Sequence, residues 1–162
     1  GIDEAMQKFF DVFEGIKERM GPVLVQLPPG LSYNKQLITS FFSLIKEKYS
    51  YYSFAVEARN KSWINDDFID LLQQYGIAFV LADSGKRYPS FEGVTAGFVY
   101  LRFHGREQLY ASDYSEDILR EYGEKIRKWL AEGLDVWIFF NNDYHGYAIK
   151  NAEKLIEITA GI

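Results

Sequence analysis

Five short apolar runs, each separated from the next by a stretch long enough for a helix, confine this chain to one broad class of fold. The runs are Val23–Leu27, Phe54–Arg59, Ile77–Asp83, Phe98–His104 and Val136–Asn141. Between them lie segments with apolar residues at helical spacing: Asn34–Lys48, Ser62–Tyr75, Ser115–Ala131 and, at the end, Tyr147–Ile158. A strand that must cross a helix before meeting the next strand pairs with it in parallel. Runs such as Val136-Trp137-Ile138-Phe139-Phe140 are apolar on both faces, as a sheet covered on both sides requires. The expected fold is α/β, a partial TIM-barrel-like arrangement of about five parallel strands with alternating helices.

Punctuation supports those bounds. An opening helix over Asp3–Arg19 carries Met6, Phe9, Phe10, Phe13 and Ile16 on one face and stops at Gly21-Pro22. Pro28-Pro29-Gly30 ends the first strand, since proline donates nothing to a ladder. Leu37, Phe41, Leu44 and Ile45 are the expected inner side of the second helix, and Ser62 is the expected N-cap of the third. Gly85, Pro89 and Gly93 make Ser84–Thr95 a long loop where the rhythm asks for a helix.

A chain of 162 residues suits one domain, taken as residues 1–162. Its net charge of -5 opposes extended nucleic-acid binding, because a phosphate backbone is held by a surplus of cations. Cys 0 removes thiolate chemistry and agrees with a reducing compartment. No run approaches the ~20 apolar residues of a membrane span, and the start of the chain lacks the pattern of a signal peptide. The expected location is cytoplasmic, without membrane association.

Polar residues end these apolar runs. Glu57 and Arg59 end the second, Asp83 the third, Arg102 and His104 the fourth, Asn141 and Asn142 the fifth. Strand carboxyl ends are where α/β folds build sites. Side chains alternate along a strand, so Tyr100, Arg102 and His104 share a face, and Gln26, Glu57, Arg59, Asp83 and Asn141 are expected to join them. Charges in a flat, doubly covered sheet would lack partners, whereas a cleft or barrel mouth satisfies them. The structural alternative is a salt-bridge network with no ligand.

No nucleotide loop of the GxGxxG or GxxxxGK[ST] type occurs, and the sequence identifies no cofactor. A metal set of Glu57, Asp83, His104 and His145 lacks any supporting spacing, and no metal ligand is assigned. His145 is expected to cap or face water. Trp63 reads as packing or as an aromatic wall for a ligand.

In order and spacing, several segments together resemble the DUF72, or YecE-like, family: Gly21-Pro22-Val23-Leu24-Val25-Gln26-Leu27-Pro28-Pro29, Ala55-Val56-Glu57-Ala58-Arg59 with Ser62-Trp63, Val99 to Gly105, and Phe139-Phe140-Asn141-Asn142 through Asn151. The resemblance implies a TIM-barrel-type fold in a longer chain, of which this sequence matches the carboxyl-terminal two-thirds. Ala58 and Asn60 depart from the family's commoner phenylalanine and histidine. Five strands do not close an eight-strand barrel, so the expectation is a truncated or incomplete β/α barrel, completed by a missing amino-terminal segment or by another copy.

Residues and resemblance together suggest a hydrolase acting on a small anionic or sugar- or phosphate-containing substrate. In that reading Glu57 or Asp83 is general base and His104 the acid, with Gln26, Arg59, Trp63, Tyr100, Arg102, Asn141 and Asn142 binding substrate. The alternatives are a nucleotide- or RNA-binding module and a non-catalytic assembly protein.

Overall fold

Strand and helix alternate along the chain, and most element ends fall where the punctuation sets them. The structure, a computed structural model, describes residues 1–160. Helix α1 (Ile2–Phe13) passes into a 3-10 segment, Glu14–Arg19, before strand β1 (Val23–Gln26). Helix α2 (Lys35–Lys48) leads to β2 (Phe54–Glu57), a 3-10 turn over Lys61–Trp63, and α3 (Asp66–Tyr75). Two short strands follow, β3 (Ala78–Phe79) and β4 (Leu81–Asp83), then β5 (Phe98–Phe103). Helix α4 (Glu116–Ala131), β6 (Asp135–Phe140) and α5 (Tyr147–Thr159) complete the described chain.

Every pairing is parallel, in two three-stranded sheets ordered β1-β2-β3 and β4-β5-β6. Sequence periodicity treats Ile77–Asp83 as one strand, but it is divided at Val80. The reason is a change of partner. Val80 N still donates to Val56 O at 2.9 Å, on β2, whereas Leu81 to Asp83 pair with Leu101 to Phe103 on β5. At the break Thr95 stands in for a strand: its hydroxyl accepts from Phe79 N and donates to Ile77 O, each at 2.8 Å. Among the described residues β1 and β6 each pair on one side, which leaves the barrel-like arrangement open.

Packing follows strand parity. Phe54 and Val56 point outward to Phe42, Phe68 and Leu72, and Leu101 and Phe103 point outward to Leu119, Ile126 and Leu155. The opposite parity, Ala55, Ala78, Val80, Ala82, Phe98 and Tyr100, lines the inner face. Two details differ from the sequence reading. The buried side of α2 is Ile38, Phe42 and Ile45, while Leu37 is 52% exposed. Helix α3 starts after Ser62 and is capped by Asn65, whose side chain accepts from Phe68 N, because the Ser62 hydroxyl instead accepts from Tyr33 N.

Candidate functional site

At the carboxyl ends of β1, β2, β5 and β6 the inward-facing polar residues meet around one carboxylate. Parity carries Glu57 inward on β2, two residues beyond Ala55, and carries Arg102 inward on β5, two beyond Tyr100. Glu57 is fully buried and accepts from three cationic or ring nitrogens. Arg59 Nη2 and His104 Nε2 lie 3.1 Å and 2.9 Å from its Oε1, and Arg102 Nη1 pairs with its Oε2. Gln26 Oε1 bridges the two guanidinium groups, at 3.0 Å from Arg59 Nη2 and 3.3 Å from Arg102 Nη1. Asn141 Oδ1 accepts from Arg102 Nε at 3.1 Å. Tyr100 lies one pleat below Arg102 and stacks on Phe139, with ring centroids 4.7 Å apart, as an aromatic floor.

Electrostatics follow from that geometry. Burial alone would raise the Glu57 pKa, but the hydrogen bond from His104 and the charges of Arg102 and Arg59 outweigh it and hold the carboxyl below its ordinary range. Glu57 is therefore a permanent anion near neutral pH. Two guanidinium groups face this single carboxylate, so the cluster retains an excess positive charge suited to an anion. With Nε2–H donating to Glu57, a neutral His104 ring presents a lone pair at Nδ1. Among the described residues that atom is buried and has no partner, and Arg59 Nε is also buried without one. A buried, unpartnered polar atom is costly in a purely structural network.

Other sequence-derived residues lie elsewhere, with physical reasons. Asp83 shares the parity of Leu81 and points outward, correcting its placement beside Glu57. Its carboxylate accepts from Arg106 Nε at 2.8 Å and from the Tyr122 hydroxyl at 2.7 Å on α4. Asn142, one residue beyond Asn141, takes the opposite parity. Its Nδ2 donates to Ser112 O and to Asn151 Oδ1, which ties the loop after β6 to that after β5. Trp63 is fully buried among Tyr33 and Phe68, and its Nε1 donates to Leu31 O at 2.7 Å, so its place is in the core. His145 is exposed, in a short 3-10 turn at φ 59°, and among the described residues no group of three or more metal-ligating side chains converges.

Sequence reasoning missed two residues that touch the cluster. Tyr88, from the loop after β4, lies with its ring under the Arg59 guanidinium, 3.5 Å from centroid to Cζ, and edge-on to His104 at 5.4 Å. Tyr110, from the loop after β5, is edge-on to His104 at 5.8 Å, and its hydroxyl meets that of Tyr88 at 3.2 Å. Irregular loops carry no period from which such contacts are read. Among the described residues no helix is long and apolar enough to cross a membrane.

Comparison with known proteins agrees with this architecture. A family model described as protein of unknown function DUF72 matches residues 1–161. The chain is 20% identical to the UPF0759 protein YunF of Bacillus subtilis, covering 96% of this chain and 65% of that protein. A DUF72 family crystal structure from Thermotoga maritima is similar at TM-score 0.83 and 27% identity, over 96% of this chain and 65% of that one. One from Enterococcus faecalis gives 0.84 and 20%, over 98% and 66%. This chain thus spans about two-thirds of the length of the relatives it matches. It belongs to the DUF72 family.

Proposed function

We propose that this chain carries the acid-base centre of a cytoplasmic enzyme that hydrolyses a small anionic substrate, of the phosphate- or sugar-containing class. The observation that carries the reading is the His104–Glu57 pair. One ring nitrogen is held at 2.9 Å by a buried carboxylate that also pairs with two arginines, and the other is buried and, among the described residues, unpartnered. A carboxylate that fixes one imidazole nitrogen orients the ring and stabilises the imidazolium formed when the other nitrogen takes a proton. His104 is therefore the proposed acid-base group, and Glu57 its orienting partner rather than the base.

In this scheme Arg59 and Arg102 hold the anionic group of the substrate, and Gln26 and Asn141 fix the planes of the guanidinium groups. His104 Nδ1 accepts a proton from water as the water oxygen bonds to the electrophilic centre. The same proton then passes to the departing oxygen, which balances the hydrolysis. Asp83 takes no part, since Arg106 and Tyr122 occupy its oxygens. The third of the relatives' length that lies outside this chain would contribute further inner-face residues, and the whole protein's substrate depends on them.

The test is turnover of chromogenic phosphate esters and glycosides by the purified protein and by His104→Gln. Removing an acid-base group lowers kcat by about 100- to 10,000-fold. Absence of turnover across the panel, together with no response of the His104 ring resonances to inorganic phosphate, would remove the proposal. A nucleotide- or RNA-binding role is the second reading, favoured by the rim tyrosines Tyr110 and Tyr144, 45% and 63% exposed and open to base stacking. It requires affinity that falls with salt and is indifferent to His104→Gln.

A further inference from the structure

Tyr88 packs directly against the polar centre. Its ring stacks on the Arg59 guanidinium and meets His104 edge-on, and each of these two residues carries a buried atom without a partner among the described residues. Arg59 Nη2 and His104 Nε2 both bond Glu57 Oε1, and each residue has a second nitrogen, Arg59 Nε and His104 Nδ1, that is buried without a partner among the described residues. One is a donor in need of an acceptor. The other is an acceptor in need of a donor in the tautomer whose proton sits on Nε2 and points to Glu57. A phenol ring offers neither where it stacks.

The cover is assembled from two loops. Arg87 staples them, donating to Ser84 O in its own loop and to Arg106 O and Glu107 O in the loop after β5, at 3.3, 2.9 and 2.7 Å. The Ser84 hydroxyl accepts from Tyr88 N at 2.8 Å, and Tyr110 N donates to His104 O at 2.6 Å. The backbone is strained on both sides, with Lys86 at φ 71° and Tyr110 at φ 65°. Left-handed conformations of non-glycine residues persist where the surroundings enforce them.

We propose that Tyr88, paired with Tyr110, is a displaceable cover over His104, and that the ligand which displaces it presents a hydroxyl beside an anionic oxygen. Once Tyr88 withdraws, the anionic oxygen accepts from Arg59 Nε in the guanidinium plane, and the hydroxyl donates to His104 Nδ1. Monoprotonated phosphate, phosphate monoesters bearing a proton, and α-hydroxy acids meet this requirement. The ligand class rests on the anion-binding reading above, whereas the cover itself does not.

The two histidines of the chain allow a direct test, because His145 is exposed and serves as internal reference. Carbethoxylation by diethyl pyrocarbonate, followed residue by residue by mass spectrometry, reports access to each ring. In the unaltered protein His104 should react far more slowly than His145. Tyr88→Ala should raise the His104 rate at least about tenfold with His145 unchanged, because access scales with the fraction of open molecules. Tyr88→Phe keeps the ring and should stay near the starting rate. Arg87→Ala, which leaves every residue around His104 in place, should give an intermediate rise and stands in if Tyr88→Ala fails to fold. Equal rates for the two histidines at the outset, or a His104 rate unmoved by both Tyr88→Ala and Arg87→Ala, would overturn the cover. Inorganic phosphate should slow the His104 reaction in the opened variant. A raised rate with no protection by phosphate would uphold the cover and refute the assigned ligand and the anion reading beneath it.

Discussion

Replacing Glu57 by glutamine removes one charge with almost no change of volume, so its consequence is electrostatic and not a packing defect. The carboxylate is fully buried and receives His104, Arg59 and Arg102. An amide accepts with one atom and donates with the other. Whichever way it turns, a donor meets a donor, either at Arg102 or at the Arg59–His104 side. Breaking a buried ion pair by removing one partner costs ~3–5 kcal/mol, because the remaining charge is left unmatched. Here the lower end applies, since Asn141 and Gln26 still accept from Arg102 and Gln26 from Arg59. A loss of about 3 kcal/mol corresponds to a fall in Tm of roughly 6–12 °C for a chain of this size. Against a total stability of about 5–15 kcal/mol that is a large share.

The pH dependence carries the sign. The folded-state pKa of Glu57 lies below its ordinary value of 4.5, so its contribution is complete above that value and is lost as pH falls through the folded pKa. Urea unfolding followed by tryptophan fluorescence should show a constant gap between the unaltered protein and Glu57→Gln from pH 7 down to the ordinary carboxylate range. Below it the gap should narrow. A gap under about 1 kcal/mol at pH 7, or one that widens toward acid, would refute a charge-coupled centre at this position.

Asp83→Asn should destabilise by about 1–3 kcal/mol through Arg106 and Tyr122, while leaving any His104-dependent turnover within about twofold. Its cost should add to that of Glu57→Gln within about 0.5 kcal/mol in a double-variant denaturation series, because the two carboxylates share no partner. Of the three tryptophans, Trp63 and Trp129 are buried and Trp137 is 39% exposed on the open inner face, so Trp137→Phe should abolish most acrylamide quenching. Quenching that is absent in the unaltered protein at high concentration and returns on dilution would mean that another copy covers that face.

Strand parity explains both what was legible and what was misread. On β5 the alternation Tyr100, Arg102, His104 is unbroken, and on β2 Glu57 follows Ala55 by two, so the residues that meet could be placed from the sequence. Asp83 was grouped with them as a polar strand end, although it has the parity of Phe79 and Leu81, whose rings and methyls pack outward. Asn142 was grouped with Asn141 although adjacent residues on a strand cannot share a face. In both cases polarity at a strand end is a weaker guide to direction than parity. The rule itself, applied residue by residue, separates the inner carboxylate from the outer one.

Loop residues obey no such rule, and the long Ser84–Thr95 connection shows why. Its composition marks it only as irregular, yet Thr95 ends β3 by taking the place of a neighbouring strand, and Tyr88 reaches back over His104. Each contact depends on a turn geometry settled by distant partners: Arg87 on the backbone of the next loop, and the Ser84 hydroxyl on Tyr88 N. The same loop therefore fixes where one sheet gives way to the other and what covers the polar cluster. A change in that loop should act at both places. Thr95→Val, which removes the hydroxyl bridging Ile77 and Phe79, leaves two buried backbone groups unsatisfied at a cost of about 1–3 kcal/mol each, and it should loosen Tyr88 without touching it.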